Sequence, residues 1–344
     1  MRYADLGSSG LKTSVLGFGC AAMMGRAGRK KSLRALTAAY DAGITFFDTA
    51  RSYGYGESEG LLGEFLGGER QRVILSTKFG IVPARQQWWK RAMKPMVRSF
   101  LSVAPSARSL IRKQVAAQFQ AQQLTTEVLK KSLDESLRKL RTSYVDILFM
   151  HSAPASVLAQ CDLLEALERL VSAGKIRVAG ISADPDVIAA VLDSRPRALR
   201  AMQFPVNSFD SALMSRVASA GHTGLIFMAN HPFGGSQGLS EMCARLGELA
   251  ASPSISGELR NKLKPIDENV VSEVVLNLAL RDTGIQVVVP SMMELNHLHA
   301  NIHAISSCRF TTAELALIRY RTTDHSHSLP RGQNLTAEPK TNAN

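Results

Sequence analysis

Three ionisable residues stand at the ends of strongly apolar runs, where no solvated face calls for them. Asp48 closes ITFFD (44–48), Lys78 closes VILSTK (73–78) and His151 follows VDILFM (145–150). Five residues past Asp48 comes Tyr53 in RSYGYGE (51–57), with Tyr55 as a rival that spacing alone does not exclude. A phenol has an ordinary pKa of about 10, too high for an efficient proton donor at neutral pH. A neighbouring ammonium favours the phenolate and lowers that value. Lys78 suits this task, and Asp48 would keep Lys78 charged and in place. His151 would offer a hydrogen bond to a carbonyl oxygen and turn it toward the tyrosine. Such a set fits hydride delivery to a carbonyl, with a proton donor where negative charge develops. The hydride itself must come from a cofactor.

These residues need elements that bring them to one rim. Eight short apolar runs read as strands: 15–19, 44–48, 73–78, 145–150, 178–181, 199–204, 225–229 and 287–290. Near-continuous apolar character marks strands buried on both faces. Helix-length segments lie between them. In 125–140 the apolar residues Val128, Leu129, Leu133, Leu137 and Leu140 make one stripe, with Thr125 or Thr126 as cap. The segment 157–173 ends at Gly174, a C′ glycine. Tyr144 and Cys161 read as core residues. The repeated β-α order predicts an α/β protein, a closed (β/α)8 TIM barrel over residues 1–324. A hairpin of residues 2–6 and 11–14 would close its bottom. In a barrel the site forms at the C-terminal ends of the strands. Adjacent strands lie about 5 Å apart, so Asp48, Lys78 and His151 can converge there.

Two segments break the alternation. Residues 81–123 form an insertion after the third strand, and 325–344 a polar tail expected to be mobile. The insertion holds eight basic residues and no acid, against a net charge of +12 for the 344-residue chain. The rest is therefore only mildly basic, and nucleic-acid binding has charge alone behind it. Within 88–101 the apolar residues Trp89, Met93, Met96, Val97, Phe100 and Leu101 make an amphipathic pattern with Lys90, Arg91, Lys94 and Arg98 off the stripe. It reads first as a lid over the substrate, and second as a membrane-surface contact. No run approaches the roughly 18 apolar residues of a membrane span, and the N-terminus has no secretory h-region. Four scattered cysteines, without zinc spacing, suggest reduced thiols of a cytoplasmic protein and no metal site.

The chain resembles the aldo-keto reductase superfamily from Arg2 to about Ile318. The carriers are GSSGLKTSVLGFG (7–19), ITFFDTARSYG (44–54), STKFG (76–80), SLRKLRTSYVDILFMH (136–151) and GKIRVAGIS (174–182). The resemblance implies a catalytic set of Asp48, Tyr53, Lys78 and His151, choosing Tyr53 over Tyr55. It implies reduction of an aldehyde or ketone to an alcohol, or the reverse, with NADP as cofactor and NAD as the other choice. A small-molecule carbonyl or alcohol would then be the substrate, with no nucleic-acid partner. The alternative within the same fold is a regulatory subunit whose bound cofactor senses redox state for another protein.

By the same resemblance the cofactor would meet Gly19, Cys20 and Ala21 after the first strand, besides Asp48. Ser182 and Gln203 would read the carboxamide, although Ala183 replaces the usual asparagine. After strand seven Asn230 stands where an aromatic residue commonly stacks, leaving His231 or Phe233 to cover the ring. Gly234, with Gly235 and Gly238, suits close approach to the pyrophosphate. Asn301 would lie near the adenine. Around the 2′-position the segment 289–301 has no Lys or Arg; Ser291 and His297 occupy the cation positions, and Glu294 lies nearby. That chemistry predicts use of both cofactors, with NADPH preferred by less than about 30-fold.

Overall fold

The computed structural model describes residues 1–83, 119–206, 211–281 and 283–322. The lid segment 88–101, most of the basic insertion and the polar tail lie outside them.

A hairpin comes first, β1 (Tyr3–Asp5) antiparallel to β2 (Lys12–Ser14). The barrel strands are β3 (Gly17–Gly19), β4 (Phe46–Asp48), β5 (Ile74–Phe79), β8 (Val145–His151), β9 (Ile176–Ser182), β10 (Ala201–Pro205), β11 (Ile226–Asn230) and β12 (Val287–Val289). They run parallel in the order β3-β4-β5-β8-β9-β10-β11-β12. The sheet then closes on itself. Leu16 bridges Val288 in parallel, Val288 N–H donates to Val15 O at 2.9 Å, and Gly19 N–H to Pro290 O at 3.0 Å. All eight strands expected from the sequence are present. The first, second and sixth begin two residues later than expected; in the first, Val15 pairs with Arg2 O and Val288 instead of entering the β3–β4 ladder.

The interior is filled by Phe46, Ile74, Ile147, Phe149, Val178, Ala201, Ile226, Met228, Val287 and Val289, and Leu6 and Leu11 of the hairpin join this cluster. The hairpin is therefore a plug made of side chains, as in other packed barrels. The inserted strands β6 (Ile81–Pro83) and β7 (Phe119–Ala121) pair antiparallel just beyond β5.

Around the barrel run α1 (Arg29–Asp41), α2 (Ser58–Leu66), α3 (Thr126–Leu140), α4 (Cys161–Ser172), α5 (Pro185–Ser194) and α6 (Ser211–Ala220). They continue with α7 (Gly235–Ala251), α8 (Gly257–Leu263), α9 (Glu268–Leu280), α10 (Leu295–Ser306) and α11 (Thr312–Thr322). Helix α3 starts where its cap predicts: Val128 N–H donates to Thr125 Oγ1 at 3.3 Å. Leu129, Leu133, Leu137 and Leu140 are buried along one face, while Val128 is only partly so. Gly174 has φ +68°, as a C′ glycine should. Two core assignments are corrected. Cys161 is exposed at the first position of α4. Tyr144 is half-buried between two guanidinium groups, with Arg70 4.2 Å and Arg177 4.8 Å from its ring centre.

Candidate active site

The register of β4, β5 and β8 puts Asp48, Lys78 and His151 on three neighbouring strands at the C-terminal rim. Lys78 is wholly buried, and its ammonium spends its three protons on three acceptors. These are Asp48 Oδ2 at 2.5 Å, Thr49 O at 3.2 Å and the Tyr53 hydroxyl at 3.3 Å. The other oxygen of Asp48 accepts from Ser76 Oγ at 2.7 Å. His151 meets the Tyr53 ring edge-on, with ring centres 6.0 Å apart and planes at 85°. Of the two tyrosines left open by spacing, Tyr53 is the one whose hydroxyl accepts from Lys78.

Tyr53 opens a 3₁₀ turn (Tyr53–Gly56) in which Gly54, Tyr55 and Gly56 all have left-handed φ, at 59°, 59° and 84°. A Cβ on Gly54 would fall 2.4 Å from Met23 O, so glycine is obligatory there. Lys139 of α3 holds the far end of the turn, donating to Gly56 O at 2.9 Å.

Electrostatics departs from one expectation. Burial raises the Tyr53 phenol, and the opposing pull of Lys78 does not fully offset it. A phenolate stripped of water costs more than one ammonium returns in the resting site. Burial alone lowers Lys78, but the Asp48 carboxylate with Tyr53 outweighs it, so the lysine titrates above its ordinary value and stays charged. Burial, then Lys78, pushes the His151 imidazole down to about 3. The arrangement is a neutral phenol, a fixed cation and a neutral imidazole around one point at the rim. Such a point can give a proton to an oxygen as negative charge develops on it. The buried His151 Nδ1 has no hydrogen-bond partner among the described residues.

On the next three strands round, β9, β10 and β11, Ser182, Gln203 and Asn230 form a second polar group. Gln203 Oε1 accepts from Ser182 Oγ at 2.9 Å and from Asn230 Nδ2 at 3.3 Å. This leaves Gln203 Nε2, a donor, and Asn230 Oδ1, an acceptor, buried and without a partner among the described residues. A carboxamide offers the complementary acceptor and donor, so the residues present fit that group. Asn230, standing where an aromatic residue commonly stacks, turns its amide to Gln203 instead. Phe233 packs against the core, and His231 is exposed on a left-handed backbone at φ +47°. Gly234 and Gly235 are left-handed at the start of α7.

The third group sits at the β3–β12 seam. Gly19 packs against Pro290, where a Cβ would meet Pro290 O at 2.9 Å. Cys20 is buried, Ala21 and Ser291 are exposed, and Asn301 is buried. His297 lies half-exposed, its Nε2 3.4 Å from Glu268. The sequence reading missed Lys31 of α1, whose ammonium pairs with Glu294. Only the tertiary fold brings the two together. Among the described residues, no helix is long and apolar enough to cross a membrane, and no group of three or more His, Cys, Asp and Glu could hold a metal ion.

The barrel agrees with the comparisons. The chain matches the Aldo/keto reductase family over residues 15–320 and belongs to it. It is an oxidoreductase by that membership. It is 30% identical to the 6-dehydroglucose reductase of Novosphingobium aromaticivorans over 265 residues, 71% of this chain and 72% of that protein. To the L-galactose dehydrogenase of Arabidopsis thaliana it is 27% identical over 320 residues, 88% of this chain and 87% of the relative. An aldo-keto reductase of Bacillus halodurans in its holo form shares the fold at a TM-score of 0.67 with 24% identity, covering 93% of this chain and 96% of the other.

Proposed function

We propose that the protein interconverts an aldehyde or ketone and its alcohol with a nicotinamide dinucleotide, Tyr53 acting as the acid or base. The observation that carries this is the buried Lys78 ammonium held between Asp48 and the Tyr53 hydroxyl. A cation locked at that point has no structural need and is costly to bury. Its field favours a phenolate only as the proton leaves, which is the condition for transition-state stabilisation. His151, neutral and with an unpaired nitrogen, orients the carbonyl oxygen toward Tyr53.

The nicotinamide, when bound, donates or accepts the hydride. Ser182, Gln203 and Asn230 would hold its carboxamide, through the unpaired donor and acceptor described above. Gly234 and Gly235, opening α7, would approach the pyrophosphate, since loops after strands seven and eight commonly bind phosphate in barrels. Gly19, Cys20 and Ala21 would flank the dinucleotide at the seam, with Ser291, His297 and Asn301 on its adenosine side. NADPH and NADH are both expected to serve.

Two relatives are named for sugars or sugar-like compounds, so polyhydroxylated carbonyl compounds and alcohols head the substrate panel. The test is purified protein assayed for NADPH or NADH oxidation against that panel, beside the Tyr53→Phe variant. Turnover that survives the substitution would sink the assignment of Tyr53.

A further inference from the structure

We propose that Lys31, with Glu294 as its counter-ion, sets the choice between a 2′-phosphorylated and a plain adenosine. The inference rests on the nicotinamide-dinucleotide reading and adds to it a residue outside the segment that follows β12. That segment, 289–301, contains no lysine or arginine. A 2′-phosphate carrying up to two negative charges would there meet the Glu294 carboxylate, which lies at the N-cap of α10 and makes no capping hydrogen bond. The fold supplies the missing cation from α1. Lys31 reaches across to Glu294, and the two side chains are 46% and 57% exposed.

That exposure decides what the pair can do. An ion pair between half-exposed side chains contributes little to stability, so either partner can be drawn away at small cost. A phosphate offers the ammonium a stronger, charge-assisted hydrogen bond than one carboxylate does. Lys31 can therefore turn to the phosphate and still screen Glu294. With a free 2′-hydroxyl the roles reverse: Glu294 accepts from the hydroxyl, as acidic residues do in NAD sites, while Lys31 remains its counter-ion. Glu294 is ionised for this task, because the hydrogen bond from Lys31 holds it below the ordinary carboxylate range. His297 is less available, being turned to Glu268. One mobile cation and one carboxylate would thus accept both cofactors, each by a different partner.

The experiment is calorimetric binding to the full chain, wild type and three variants: Lys31→Met, Lys31→Arg and Glu294→Gln. The probes are NADPH, NADH, adenosine 2′,5′-bisphosphate and AMP. Lys31→Met should weaken NADPH and the bisphosphate roughly tenfold, leaving NADH and AMP within about twofold. Lys31→Arg should keep the wild-type preference. Glu294→Gln should tighten the phosphorylated ligands severalfold and weaken NADH. Equal losses for both ligand classes in Lys31→Met, or none in either, would overturn the role of Lys31. Wild-type protein that binds neither dinucleotide would overturn the cofactor reading and this inference together. Unchanged melting temperatures would show that the variants report binding and not folding.

Discussion

The two ends of the barrel treat buried charge in opposite ways. At the N-terminal end Asp146 is buried and surrounded: Arg70 lies 2.9 Å from Oδ2, Leu75 N–H donates to the same oxygen at 2.9 Å, and Arg177 lies 3.3 Å from Oδ1. The two arginines also sandwich Tyr144. That end is held by ion pairs, although Asp146 Oδ1 has no hydrogen-bond partner among the described residues. At the C-terminal end Lys78 is equally buried, yet its neighbours include an unpaired imidazole nitrogen and an amide pair with one donor and one acceptor left over. Strain gathers there too. Of the six non-glycine residues with left-handed φ among the described residues, Met24, Tyr55, Ser152 and His231 lie in loops leaving barrel strands at the C-terminal end. The other two, Arg141 and Arg195, cap helices. Strained backbone of this kind clusters at functional sites, and each buried unsatisfied polar group calls for an explanation. Ion pairs around Asp146 mark one end of the barrel, and most of the left-handed non-glycine backbone marks the other.

Substitution at either end should separate these roles. Tyr53→Phe should lower carbonyl turnover by roughly 10²- to 10⁴-fold, the range for a lost general acid, while dinucleotide affinity stays within a few-fold. Steady-state kinetics beside calorimetry checks both halves. Asp146→Ala should do the reverse, costing about 3 kcal/mol in urea unfolding because Arg70 loses its buried partner. Its activity per folded molecule should match wild type; a large loss of turnover there would erase the contrast between the ends.

His151 gives a pH signature to the rim. Its folded value of about 3 lies below the ordinary 6.5, so the unfolded chain binds a proton that the folded chain refuses. The associated stability is complete above pH 6.5 and falls as pH drops from there toward 3. Between pH 7 and pH 5 that loss is about 2 kcal/mol. Comparing urea midpoints of wild type and His151→Gln at both pH values tests it: the wild type should lose more. The smallest effect belongs to Gln203→Met, expected to weaken dinucleotide binding about tenfold while stability changes by no more than about 1 kcal/mol.

Much of this contrast is legible in the sequence and part of it is not. Asp48, Lys78 and His151 announce themselves because each interrupts an apolar run, and the runs also give the eight strands in order. The cap at Thr125 and the glycine at 174 are local signals and hold locally. The phenol of Tyr53 is different. Charge partners can be guessed from spacing, but the depth of burial that outweighs Lys78 belongs to the folded rim. Lys31 is hidden for a related reason. A lysine in RKKSLR (29–34) reads as one of several solvated charges, and its partner Glu294 lies near the other end of the chain. Asn230 reads as a missing aromatic until the structure turns its amide to Gln203.

The seam that shuts the barrel also sets an order of assembly. Leu16 and Val288 meet only when the last strand has been made, so β3 has a free edge throughout synthesis of the intervening chain. At elongation rates of about 5–20 residues per second, that interval is on the order of ten seconds or more. During it the apolar plug of Leu6 and Leu11 has only part of its socket, because Val287 and Val289 arrive with the final strand. An unpaired edge beside exposed leucines is a template for pairing with another nascent chain. The contacts that make the finished barrel edgeless are therefore those whose lateness leaves it most open to aggregation while it is being made.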